Sequence, residues 1–60
     1  MMDMEQQVRD AIVAELKRQA SLQERGLKVQ DSGEGKLSVQ GPVDLEELSM
    51  VVVGAVAGGP

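Results

Sequence analysis

The 60-residue chain contains no cysteine, no histidine and no phenylalanine, tyrosine or tryptophan. Each absence closes a class of chemistry. Without cysteine there is no disulfide, no thiolate nucleophile and no thiolate metal ligand. Without histidine there is no side chain whose ordinary titration lies near neutral pH, and the commonest metal ligand is missing. Without aromatic rings there is no platform on which bases can stack, and the core lacks the largest apolar anchors. Catalysis would have to run on carboxylates or lysine alone, and no pair of them stands in a pattern that suggests acid/base work. The reading is a non-enzymatic chain with no catalytic, cofactor-binding or metal-binding residue, and no cofactor.

Long hydrophobic runs are missing too. The longest, Met50 to Ala57, is far shorter than the roughly 20 residues a membrane-spanning helix needs, so no membrane role is expected. The segment Met1-Met2-Asp3-Met4-Glu5 has neither the basic region nor the apolar stretch of a secretory signal, which sets a cytoplasmic expectation. Positive charge is also scarce. Ten acids face six bases, a net charge of −4. Residues 1–36 hold seven acids and six bases, whereas residues 37–60 hold Asp44, Glu46 and Glu47 and no base. An acidic chain without a basic stripe is repelled by phosphate backbones. Arg9, Lys17, Arg18, Arg25, Lys28 and Lys36 are interleaved with acids and read as a solvated face.

What is present is an aliphatic scaffold with explicit punctuation. Met4, Val8, Ile12, Leu16 and Ala20 recur at helical spacing, widened by Ala11 and Val13. Asp3 can cap this helix, with Gln6 at capping-box spacing. Glu5 can pair with Arg9 and Glu15 with Arg18. The expected span is 3–25, ended by Gly26 as a left-handed C′ residue that brings Leu22 and Leu27 together.

Alternating runs over 27–31 and 36–40 flank Ser32-Gly33-Glu34-Gly35 and predict a β-hairpin. Val29, Leu37 and Val39 share a face only if the loop has odd length. A three-residue loop, Gly33-Glu34-Gly35, then places Val29 opposite Val39 and Gln30 opposite Ser38, with Gly35 left-handed. Lys28, Gln30, Ser38 and Gln40 form the outer face. Gly33-Glu34-Gly35-Lys36 lacks the spacing and the following helix of a phosphate-binding loop, so the turn reading stands. Asp31, Ser32 and Glu34 are too few and too close to Lys36 for a calcium loop.

Gly41-Pro42 ends the hairpin. Asp44 as N-cap, Glu47 at N3 and Val43 with Leu48 as a hydrophobic staple start a second helix over about 44–57. Adjacent Glu46 and Glu47 suit the helix dipole and need no catalytic explanation. Beyond Ser49 the helix is apolar on every side, with Gly54 and Gly58 in a Gly-x-x-x-Gly spacing. The β-branched Val51-Val52-Val53 offers a third strand over 50–56 as the alternative, and the cap upstream favours helix. Gly58-Gly59-Pro60 reads as a flexible tail.

The expected fold is α+β, a small α-β-β-α domain over 1–60 with two helices packed on one face of an antiparallel β-hairpin. A helix apolar all round must be buried all round, and one hairpin with one other helix cannot enclose it. A chain this short hides only about 60% of its unfolded surface, and disulfides and thiolate metal sites are unavailable to reinforce it. Self-association is the remaining route, with Met50, Val52, Val53, Val56 and Ala57 as the candidate interface. The expected function is a small acidic protein–protein interaction or adaptor domain that binds itself, another protein, or both. The alternative is a dimeric nucleic-acid-associated regulator, against which the net charge and the missing aromatics count.

Overall fold

In a computed structural model, which describes residues 3–58, the elements run α1 (Met4–Ala20), a 3-10 turn (Gln23–Arg25), β1 (Lys28–Gly33), β2 (Lys36–Gln40) and α2 (Leu45–Gly58). The order is α-β-β-α, and the two helices pack with the antiparallel hairpin. α1 touches both other parts, lying along α2 and against β1.

Asp3 caps α1 as expected, its Oδ1 accepting from the Gln6 amide at 2.7 Å. The box is not closed. The Gln6 side chain turns forward and donates to Asp10 Oδ1 at 2.9 Å. The Glu5–Arg9 and Glu15–Arg18 pairs both form, each at 2.8 Å. The helix is shorter than its periodicity suggests, stopping at Ala20 with Ser21 as its C-cap. The cause is local. Ser21 Oγ donates to the Arg18 carbonyl at 2.6 Å, and the Ser21 amide is shared between the Lys17 and Arg18 carbonyls. Serine offers the backbone such an alternative to a continuing helix. The chain then tightens into three-residue bonds, Leu22 to Gln19 and Arg25 to Leu22. Gly26 has the expected positive φ, +68°, but it follows this 3-10 turn instead of closing α1.

The hairpin register is as the alternation requires: Val29 opposite Val39, and Gln30 opposite Ser38. Lys28, Gln30, Ser38 and Gln40 are all exposed. The loop differs from the three-residue expectation. Gly33 pairs with Lys36, and the ladder shifts between Asp31 and Gly33. The turn is thus the two residues Glu34 and Gly35, with φ of +56° and +74°, the double left-handed pattern of a type I′ turn. A bulge supplies the parity change that an odd loop would have given. Asp31 Oδ1 braces it by accepting from the Gly33 amide at 2.8 Å. At the other end of the hairpin, a Cβ on Gly41 would fall 2.6 Å from the Gly26 carbonyl oxygen and 3.0 Å from Leu27 Cα. Only glycine permits this approach, which ties the exit of β2 to the entry of β1.

Residues 50–56 are helical, so the third-strand alternative is set aside, and the helix reaches Gly58 instead of dissolving there. Gly59 and Pro60, the rest of the expected tail, lie outside the described residues. Leu16 and Leu27 are the only buried apolar residues among those described. The radius of gyration is 11.9 Å and the extents are 35 × 26 × 14 Å. A compact chain of this length has a radius of about 10.4 Å. The protein is a thin slab, and much of its aliphatic surface stays outside.

Candidate functional site

The site grows out of the junction between the C-terminal end of α1 and the N-terminal end of α2. Asp44 caps α2, its Oδ1 accepting from the Glu47 amide at 3.0 Å. In a capping box the Glu47 carboxylate would return to the Asp44 amide. Here Gln19 takes that place. Gln19 Oε1 accepts from the Asp44 amide at 2.8 Å, and Gln19 Nε2 donates to the Asp44 carbonyl at 3.2 Å and to Glu15 Oε2 at 2.8 Å. Gln19 is 0% exposed, and every hydrogen of its amide group has an acceptor. No buried side-chain N or O among the described residues lacks a partner.

Glu47, freed from the cap, binds two arginines. Arg25 approaches with both terminal nitrogens, at 3.1 and 3.2 Å, and Arg18 reaches the same carboxylate. Arg18 also forms a two-pronged pair with Glu15, at 2.8 Å on each prong. Hydrogen bonds from Arg18 and then Gln19 hold the Glu15 carboxyl down at about 2, against an ordinary 4.5. Arg25 foremost, with Arg18, lowers the Glu47 carboxyl. Glu15 raises the Arg18 guanidinium, and Glu47 raises that of Arg25. These groups form a polar clasp that fixes where α2 begins and which way it leaves.

Beyond the clasp, α2 presents two sides. Leu48, Val51, Val52 and Ala55 recur at helical spacing and are half-buried on the side nearest α1. Glu46, Ser49, Met50, Val53, Val56 and Ala57 follow the opposite side and are exposed. Met50 is 67% and Val53 63% exposed, and no residue of α2 is buried. Of the candidate interface residues, Met50, Val53, Val56 and Ala57 therefore share one open face, while Val52 sits on its half-buried flank. Gly54 borders this face, and a Cβ added there would meet nothing within 4 Å. A second apolar surface lies between α1 and the hairpin, an open cleft of about 460 Å³ lined chiefly by Val8, Ile12, Val13, Leu16, Leu37 and Val39.

Among the described residues, no helix is long and apolar enough to cross a membrane, and no group of three or more acidic, histidine or cysteine residues is placed to hold a metal ion. No family model, no curated protein and no solved structure matches this chain.

The clasp escapes a reading of the sequence. Glu15 and Arg18 are recognisable as a local pair, but Gln19 meets Asp44 across 25 positions. A glutamine amid polar neighbours carries no mark of burial. The one available hint is the Glu15–Gln19 spacing, a favourable i,i+4 hydrogen-bonding pair.

Proposed function

We propose that this chain is a non-catalytic protein–protein interaction module that works as a homodimer, with the exposed face of α2 as its contact surface. The observation that carries the reading is the surplus of surface. A folded monomer of 6.4 kDa has an accessible area of about 3,800 Å² by the usual scaling with mass. This chain exposes 4507 Å². The excess, about 700 Å², approaches the roughly 800 Å² that one partner contributes to a standard interface. The most exposed large apolar side chains are concentrated on α2, where Leu45, Met50, Val53 and Val56 all stand open.

The charged groups support a non-catalytic role. A carboxylate held at about 2, as Glu15 is, is a weak base at neutral pH. Glu47 is saturated by two arginines. The nucleic-acid alternative loses ground for the same reason, because Arg9, Arg18 and Arg25 are each engaged with a carboxylate of their own chain. Sedimentation equilibrium from about 1 to 100 µM tests the proposal, a range in which interfaces of standard size associate. A reversible monomer–dimer equilibrium is expected. A well-folded monomer throughout would sink it.

A further inference from the structure

The self-association reading leaves open how two copies meet, and the face itself restricts the answer. We infer that two copies pair through α2 in antiparallel fashion, about a two-fold axis that crosses the helices between Val53 and Gly54. The inference rests on the reading above and deepens it.

Charge selects the direction. α2 begins with Glu46 and Glu47 in its first turn and carries no base in its last. Parallel pairing would set Glu46, which lies on the exposed face, beside its own copy and align two helix dipoles. Antiparallel pairing opposes the dipoles and places the two Glu46 residues at opposite ends of the seam. A helix rises 1.5 Å per residue, so with the axis after Val53 the two copies of Glu46 stand about 22 Å apart.

Shape selects the register. In a two-fold interface, if residue i meets residue j, then j meets i. An axis between Val53 and Gly54 sets Val53 against Gly54 of the second copy, and Met50 against Ala57. In these two pairs a large side chain faces a small one, which lets the helices approach closely at the centre of the seam, while Val56, farther toward the edge, meets Val51 of the second copy. A glycine inside a helix is unfavourable relative to alanine. Gly54 has no neighbour in its own chain that would exclude a Cβ, so nothing within one copy explains it. A second copy lying close over Gly54 does. The occupant is a second copy because the surplus area of the chain approaches one side of a standard dimer, and because the central pairs Val53 with Gly54 and Met50 with Ala57 complement each other under a two-fold axis.

The absence of cysteine makes the test direct, since any single cysteine introduced is the only one present. Under mild oxidation, Val53→Cys is expected to form a disulfide-linked dimer in high yield and Glu46→Cys almost none. Gly54→Leu is expected to weaken the dimer at least tenfold while helical circular dichroism holds or rises, because the added side chain meets open space in its own chain. If Glu46→Cys cross-links as readily as Val53→Cys, the antiparallel arrangement is overturned while self-association stands. If Gly54→Leu leaves the dimer constant unchanged, the contact lies elsewhere, with the cleft between α1 and the hairpin next in order. If the unmodified chain stays monomeric, the self-association reading falls and this arrangement with it.

Discussion

The two ends of α2 solve opposite problems. Its first turn is tied down on one side by polar groups, with the Asp44 backbone held by Gln19 and the Glu47 carboxylate by Arg18 and Arg25. Its second half has nothing to hold it on one side except solvent around Met50, Val53 and Val56. The clasp offers direction, since hydrogen bonds demand geometry. The open face offers driving force, since apolar burial is non-directional and grows with area. A chain without aromatic residues and with two buried leucines has little hydrophobic driving force of its own. It therefore positions its helix by polar contacts and leaves the apolar face available. The comparison predicts that damage at the two ends will look different.

The largest effect is expected at the clasp. Gln19→Leu leaves the Asp44 amide without its acceptor and removes one donor from Glu15. Each buried polar group left without a partner costs about 1–3 kcal/mol, so the loss should be about 3 kcal/mol. A chain of this length has roughly 3–9 kcal/mol in total. Urea denaturation should show at least about a third of the stability gone, whereas Gln30→Leu on the exposed hairpin face should stay within about 0.5 kcal/mol. Equal effects at both positions would show that the clasp does not govern the fold.

At the open end the prediction concerns assembly. Val53→Asp places a carboxylate where the chain itself makes no demand, so the separate protomer should keep its helices. A dimer gains stability as its concentration rises. The thermal midpoint of the unmodified chain should therefore climb with concentration, and that of Val53→Asp should not. Val52→Asp, half-buried toward α1, should lower the midpoint at every concentration. If the two variants behave alike, the division of α2 into an inner and an outer side is wrong.

These contrasts show which parts of the molecule were legible in the sequence. The caps at Asp3 and Asp44 and the pairing of Val29 with Val39 rest on neighbours in the chain or on strict alternation, and the structure has them. The aliphatic face of α2 was visible because it breaks the amphipathic rule. The early end of α1 has no mark in the apolar period, because one serine hydroxyl outweighs a continuing repeat. The alternation does not distinguish the observed turn from a three-residue loop, because a bulge and an odd loop satisfy the same parity. Gln19 was invisible because burial of a polar residue depends on a partner that only the tertiary fold supplies.

Acid should loosen the clasp before it touches the apolar face. Glu15 has a folded-state pKa of about 2 and an ordinary value of 4.5, and Glu47 is displaced in the same direction. Lowered carboxyl values mean that the stabilisation is fully present above about 4.5 and is lost as pH falls from there toward 2. Stability should be flat from pH 7 to 5 and then decline, with Glu15→Gln weaker at neutral pH and less sensitive to acid. A decline of equal size in Glu15→Gln would assign the acid sensitivity to other carboxylates.

The smallest effect is expected at the hairpin tip, which is distant from both ends of α2 in sequence and belongs to neither. Glu34 holds φ of +56° ahead of Gly35 at +74°, a pair of angles that suits asparagine followed by glycine. A non-glycine residue in this region carries a steric cost that asparagine tolerates better than glutamate. Glu34→Asn should therefore raise stability by about 0.5 kcal/mol, seen as a small increase in the urea midpoint at constant slope, while Glu34→Lys should change little. Because the tip contributes to neither the clasp nor the open face, the dimer constant should not move with it. A dimer constant that rises with Glu34→Asn would mean that assembly is limited by how well each protomer folds, not by the face that α2 presents.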